Sequence, residues 1–356
     1  MEPFRVPESP DLTELHDRLR RTRFPAATPG PEWAAGTSPA FLRRLVAHWL
    51  ERYDWPAQAR RLNRYPHAIA TLPEGRLHLV HLRNPGAPAI VLLHGWPYTF
   101  AEMLPLADAL AADFEVVVPS LPGFCWSPAL DEPFGDVVVA RMVDGLMTDL
   151  LGHARYLTYG EDVGTWISDR VAGTYPGRVA GIVVTHPAYP PREERTALGE
   201  ETARFFTALD ERHADDRGYA EIQSTKPDTL AAALGDSPAG LAAWIVEKFR
   251  AWGDVGGDVE SVFRLDDLIT TVMLYWLTDS IGTSFRPYID DPVQAAQPPI
   301  EVPAAIALAL GDRGYPRALA EHTYRDIRTF RTLERGGHFV AREVPQEVAA
   351  LVRSLR

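Results

Sequence analysis

Near the middle of the chain, Gly160-Glu161-Asp162-Val163-Gly164 has the residue types and spacing to do chemistry. It lies between an apolar strand-like run, RYLTYG (155–160), and a helical stretch. Two glycines around a central side chain permit a tight turn that projects that side chain from the edge of a sheet. No Gly-x-Ser-x-Gly occurs in the chain, so the projected group is a carboxylate and not a hydroxyl. An aspartate, with an ordinary pKa of about 3.9, is already anionic at neutral pH and needs no base to become a nucleophile. It suits attack on a saturated carbon bearing a strained or good leaving group, an epoxide or an alkyl halide. The product is an alkyl ester of Asp162, which water must then cleave. A GxDxG pattern can also be an ordinary turn with a capping aspartate; the strand before it and the helix after it favour the nucleophile.

Cleaving the ester calls for a base, an orienting acid and donors for a developing oxyanion. HGWP (94–97) closes the run AIVLLHG; at such a junction one backbone N–H faces the reacting carbonyl, and the residue after the nucleophile supplies another. The expected donors are the amides of Trp96 and Val163, with His94 structural. Chain order in catalysts built on this elbow is nucleophile, acid, histidine. His338, in FRTLERGGHFVARE (330–343), follows a strand-like run and a glycine pair and is the expected base. Asp312 ends AAIALALGD (304–312) and is the expected acid, holding the imidazole's orientation and tautomer and stabilising the imidazolium. Asp326 and Glu334 are poorly placed for that role. Each site has a bland alternative: a solvated loop histidine, a surface-turn aspartate, a glycine–proline turn over a buried tryptophan.

The elements that must position these groups are legible from patterning. From Leu12 to Leu62 the signals are helical, with Asp11 and Ser38 as caps. RLHLVHLR (76–83) alternates like a strand. AIVLLHG (89–95), FEVVVPSLPG (114–123), RYLTYG, VAGIVVTHP (179–187) and AAIALALGD are short apolar runs, with helices predicted at Asp136–Leu151 and Thr165–Tyr175. Short buried strands alternating with helices predict an α/β protein with a mostly parallel, doubly wound sheet. Between Pro187 and Pro303 only helical patterns occur, which predicts a helical cap over one end of the sheet. The divisions expected are an N-terminal extension (1–70), a core (71–187 and 303–356) and a cap (188–302). The glycine-rich AWGDVGGDVES (251–261) precedes no strand–helix phosphate unit and is expected to be a cap connector.

Composition narrows the function classes. A net charge of −12 over 356 residues gives no footprint for nucleic acid or an anionic membrane. Lysine occurs only at Lys226 and Lys248, leaving 34 of the 36 Lys and Arg residues as arginine, a skew that fits GC-rich, often bacterial, coding. The lone cysteine, Cys125, rules out an internal disulfide and suits a reducing cytoplasm. No run approaches the ~18 apolar residues of a membrane span, and the N-terminus does not read as a signal peptide. The expectation is a soluble cytoplasmic protein acting on a small molecule and water, with no cofactor and no metal; a homodimer is compatible with it.

Nearly the whole chain resembles one family, the microsomal-type epoxide hydrolases of the α/β-hydrolase fold. The resemblance rests on FRVPESPDLTELHDRLRRTRFP and YDWPAQARRLNRYP near the N-terminus, HGWP, PSLPGF (119–124), IQSTKPDT (222–229), DSPAGLAAWIVEKF (236–249), LDDLITTVMLYW (265–276) and RGGHF (335–339). It implies Asp162 as nucleophile with Asp312 and His338, a cis peptide before Pro97, and two cap tyrosines, Tyr219 and Tyr288, that donate to the epoxide oxygen. It implies no membrane anchor of the vertebrate kind, since the chain opens almost directly in the N-terminal region. Where the family often has Gly-Gly-Asp-Trp-Gly, Glu161 and Val163 flank the nucleophile here, and Cys125 stands where relatives often have glycine. A haloalkane or haloacid dehalogenase could share the aspartate; haloalkane members usually place a halide-binding tryptophan where Val163 stands. An inactive hydrolase-fold binding protein is the alternative of a different class.

Overall fold

The computed structural model describes residues 1–190, 195, 197–212, 214–290 and 297–356. Nine strands form one sheet: β1 (Glu2–Phe4), β2 (His67–Leu72), β3 (Gly75–Leu82), β4 (Ala89–Leu93), β5 (Glu115–Pro119), β6 (Tyr156–Gly160), β7 (Val179–Val184), β8 (Ile300–Leu308) and β9 (Tyr324–Thr332). Their order is β1-β2-β3-β5-β4-β6-β7-β8-β9. The pairings from β1 to β5 are antiparallel; those from β5 through β4 to β9 are parallel. Strands β4 and β6 are buried at every residue, as strands covered by helices on both faces must be. The carboxyl ends of these two central neighbours carry HGWP and the Asp162 turn, which is why segments so far apart in the chain meet.

The predicted core strands are present, and the sheet is larger than the patterning implies. β1 is three residues long and contains a proline; β2, HAIATL, takes its place by pairing with β3. Neither has a strand signal independent of its partner. β9, YRDIRTFRT, is an edge strand studded with charge, a device that discourages pairing with other chains and that hides it from an apolar-run search. The predicted helix Asp136–Leu151 is a helix Asp136–Gly145 continued by a π-helical turn, Leu146–Leu150.

Between β7 and β8 the chain folds into helices Glu200–Arg212, Gly218–Thr225, Pro227–Asp236, Pro238–Trp252, Leu265–Thr278 and Arg286–Ile289, with no strand among the described residues. The N-terminal helices Thr13–Arg20, Pro39–Glu51 and Trp55–Leu62 bury Leu15, Leu19, Leu45, Trp49 and Trp55. Ser38 caps the second through the Phe41 amide; Asp11 accepts from the Thr13 amide at the start of the first. These helices bind the cap as well as the sheet: His48 meets Asp266 at 2.7 Å, and Asp267 takes Arg61 at 2.8 Å on one oxygen and Arg342 at 2.7 Å on the other.

The turn at Asp162 is the tightest point of the fold. Asp162 has φ +53°, a region that costs a residue bearing a Cβ on the order of 1–3 kcal/mol. Helix Val163–Thr174 then passes so close to β4 that a Cβ on Gly164 would lie 2.3 Å from the Leu93 carbonyl oxygen. Gly164→Ala is therefore expected to lower stability by about 3 kcal/mol or more, since both facing atoms are backbone and cannot move aside cheaply. Denaturant unfolding checks this; wild-type stability in the variant would contradict the close approach.

Candidate active site

Asp162 leaves the end of β6 with its carboxylate held on two sides. Oδ1 accepts from the Trp96 amide at 3.0 Å, and Oδ2 lies 3.5 Å from Nε2 of His338. A Cβ on Gly95 would sit 2.4 Å from the Asp162 Cβ, so glycine there is what lets the HGWP backbone reach the carboxylate. Burial acts to raise the Asp162 pKa, but His338 and the Trp96 and Val163 amides outweigh it and hold the carboxyl below its ordinary value. The side chains of Asp162 and His338 keep 18% and 21% of their surface, enough for a small molecule to touch both. The peptide Trp96–Pro97 is cis, as the resemblance implies.

His338 follows β9 on a loop whose backbone is anchored to the cap: its N–H donates to the Trp252 carbonyl at 2.8 Å. The imidazole packs against His186, Trp252 and Phe339, with centroids 4.9, 5.0 and 5.4 Å away. Nε2 has no closer polar partner among the described residues and faces Oδ2 of Asp162. Burial pushes its pKa down; Asp162 first, then Glu161 and Asp312, push it further up, so the net shift is upward. Its neighbour His186 is driven down to about 3, by burial and then by the His338 charge, and stays neutral.

Asp312 closes a 3-10 turn just after β8, and the Leu310 amide bonds to the Gly336 carbonyl at 3.1 Å, which joins this loop to the one carrying His338. The carboxyl is pushed up to about 6 by burial, against the opposing effects of Tyr189 and His338. Its hydrogen-bond partner among the described residues is the Tyr189 hydroxyl; its effect on His338 here is electrostatic. Tyr189 gives no signal in the sequence, because it follows β7 in a segment without periodicity.

The two cap tyrosines converge on Trp96. Tyr219, in helix Gly218–Thr225, stacks on the indole at 5.4 Å and 5°; Tyr288, in helix Arg286–Ile289, meets it edge-on at 5.9 Å. Their rings are 6.1 Å apart. Burial, with the Asp162 charge adding to it, raises both phenols, so both remain protonated hydrogen-bond donors at neutral pH. Trp96 is fully buried and so serves twice, with its amide on Asp162 and its ring under the phenols. Val163, also buried, presents its amide at the start of the helix.

His94 is structural. Its Nε2 accepts from the Leu121 amide at 3.0 Å, which leaves the proton on Nδ1 to donate to the Gly95 carbonyl; burial pushes its pKa down to about 4. Cys125 is buried at φ +49° with its thiol pushed up by burial, a packing residue in a backbone shape that favours glycine. Glu161 is the group that sequence reasoning passed over. It is completely buried, accepts from the Tyr159 hydroxyl at 2.5 Å and the Ala341 amide at 2.6 Å, and is pushed up to about 7 by burial despite those bonds. A carboxylate where the family often has glycine was the available signal.

Comparison with known proteins gives the chain its family. Residues 1–103 match the family described as epoxide hydrolase N terminus, and residues 88–225 match the alpha/beta hydrolase fold. Epoxide hydrolase 1 of Sus scrofa is 30% identical over 99% of this chain and 87% of its own length. A Stigmatella aurantiaca protein, provisionally described as an epoxide hydrolase, is 33% identical over 99% of this chain and 85% of its own. Among solved structures, juvenile hormone epoxide hydrolase of the silkworm Bombyx mori superposes with a TM-score of 0.88 at 28% identity, covering 99% of this chain and 93% of that one. The Aspergillus niger epoxide hydrolase gives 0.85 at 28%, covering 99% and 95%. With an α/β-hydrolase core, the family's N-terminal region and whole-length similarity, the chain belongs to the microsomal-type epoxide hydrolases and is a hydrolase.

Proposed function

We propose that this enzyme converts an epoxide and water to a vicinal diol through an ester on Asp162. The observation that carries the reading is the division of labour between the two oxygens of Asp162: Oδ1 rests on the Trp96 amide while Oδ2 faces the site beside His338. In the first step Oδ2 attacks an epoxide carbon and the ring C–O bond breaks. The departing oxygen takes a proton from Tyr219 or Tyr288, whose phenols are protonated and share one tryptophan floor. In the second step Nε2 of His338 removes a proton from water and the hydroxide adds to Cγ. The negative charge then forms on Oδ1, where the Trp96 amide already donates, with the Val163 amide beside the same carboxyl group. Collapse expels the former Oδ2 as the second hydroxyl of the diol, which takes the remaining proton of the added water; the water oxygen stays in the carboxylate, and the imidazolium proton restores the phenol.

The charge arrangement suits this order. While Asp162 is anionic it raises the pKa of His338. Once Asp162 is an ester that charge is gone, and the imidazole becomes neutral at the stage where a base is needed. Asp312 stabilises the imidazolium as it forms. Two phenols fit an oxygen leaving group that must be protonated, and Val163 offers no indole N–H to a halide, so epoxide opening is favoured over dehalogenation.

A single turnover in 18O-labelled water tests the pathway: label should appear in the peptide containing Asp162 and not in the diol. Label in the diol alone would mean direct attack by water. His338→Gln should accumulate the ester, seen as substrate mass on the intact protein, with turnover reduced by about 10³-fold or more; normal turnover in that variant would remove the base assignment. Asp162→Asn should lower the His338 pKa, followed by NMR titration of its ring, because the largest raising influence is removed; an unchanged value would show that the two side chains do not face each other. Tyr219→Phe and Tyr288→Phe should each slow ester formation by about 10²-fold and leave ester hydrolysis nearly untouched. Wild-type ester formation in both would make them packing residues.

A further inference from the structure

We propose that Lys248 is a positioning residue for Tyr219, setting the phenol over Trp96 so that its hydroxyl meets the opening epoxide; this rests on the reading of Tyr219 as a proton donor. Helix Gly218–Thr225 is short and buries only Gln223, so hydrophobic packing alone gives it little to hold a catalytic ring in register. What holds it is polar and comes from one stripe of helix Pro238–Trp252. Trp244 donates from Nε1 to Gln223 Oε1 at 3.2 Å. Lys248, one turn on, places its ammonium 4.5 Å from the Tyr219 ring centroid and 5.3 Å from that of Trp252. Trp252, one turn further, lies 5.1 Å from the Tyr219 ring and donates from its indole to Asp216 at 2.5 Å. Asp216, three residues before Tyr219, binds Lys248 through its other oxygen at 2.5 Å, and Glu247 approaches the same ammonium at 2.7 Å.

Several features separate this from a generic ion pair. The Lys248 side chain is only 6% accessible, and a buried pair is costly to desolvate and a weak source of net stability. The chain uses arginine for 34 of its 36 Lys and Arg residues and yet has lysine here; a compact ammonium and a broad, planar guanidinium fill the space against a ring differently and are not interchangeable. Asp216 and Glu247 together outweigh the single positive charge, so the cation does not acidify the phenol. Its effect is on where the ring sits. Trp252 separately holds the His338 backbone through its main-chain carbonyl, a contact in which the Lys248 ammonium takes no part, so the clamp acts on Tyr219.

The test is step-resolved single-turnover kinetics on the full-length enzyme carrying Lys248→Met, which removes the ammonium and keeps most of the stem. Ester formation should slow by about tenfold to a hundredfold, the range that misplacement of a reacting group brings, while ester hydrolysis stays at the wild-type rate. In a Tyr219→Phe background the same change should add nothing to the loss. Tyr219→Phe slow but Lys248→Met as fast as wild type overturns the positioning role alone. Slowing of both steps together, or full additivity with Tyr219→Phe, also overturns it, because a general loss of cap structure behaves that way. Tyr219→Phe forming ester at the wild-type rate overturns the donor reading beneath it. If the methionine variant does not fold, Lys248→Arg keeps the charge: ester formation slowed with hydrolysis unchanged supports the role, and a wild-type rate overturns it.

Discussion

Everything at this site depends on how closely three backbone segments pass at the ends of β4 and β6. Asp162 is held at φ +53°, with Gly95 tight against its side chain and Gly164 tight against the Leu93 carbonyl. A strained conformation of this kind costs on the order of 1–3 kcal/mol and persists only where the surroundings over-determine it. Here they do so through the buried strands on either side and the helix that starts at Val163. The strain has a use. It turns the carboxylate away from its own helix and onto the Trp96 amide, so that one oxygen is occupied and the other is presented.

Around that carboxylate the chain concentrates more acid than the chemistry itself calls for. Asp162, Glu161 and Asp312 all act on His338, but burial treats them differently. Hydrogen-bond donors and the imidazole keep Asp162 ionised, whereas Glu161 and Asp312 are pushed up to about 7 and about 6. The carboxyl held below its ordinary value is the one given backbone donors and a basic partner. Glu161 also has a mechanical part: its bond to the Ala341 amide fastens the Asp162 turn to the helix immediately after His338.

The cap is a working wall of the site. Trp252 carries the backbone of His338, packs on its ring and touches Tyr219, so His338 and Tyr219 share one residue of the cap. Asp267, also in the cap, joins Arg61 of the N-terminal helices to Arg342 beside the histidine loop. The N-terminal region thus braces cap and core against each other, and also extends the sheet through β1 and β2.

How much of this was legible beforehand follows from the range over which each interaction acts. The turn at Asp162, the short apolar strands and the helical cap are local patterns, because a buried strand needs apolar residues in a row and an elbow needs its two glycines. The chain's own residues therefore determined the fold class and singled out Asp162 as the candidate nucleophile, and the order of motifs pointed to His338 and Asp312. Tyr219 and Tyr288 were legible only through family resemblance, since a lone tyrosine on a helix has no chemical signature; the floor that unites them is made by Trp96, more than a hundred residues away. Only the tertiary structure decided that Asp312 accepts its hydrogen bond from Tyr189 and that Glu161 is buried against Tyr159 and Ala341. It likewise decided that Lys248 sits against the Tyr219 ring, because burial, partners and the resulting pKa shifts belong to groups brought together from distant parts of the chain.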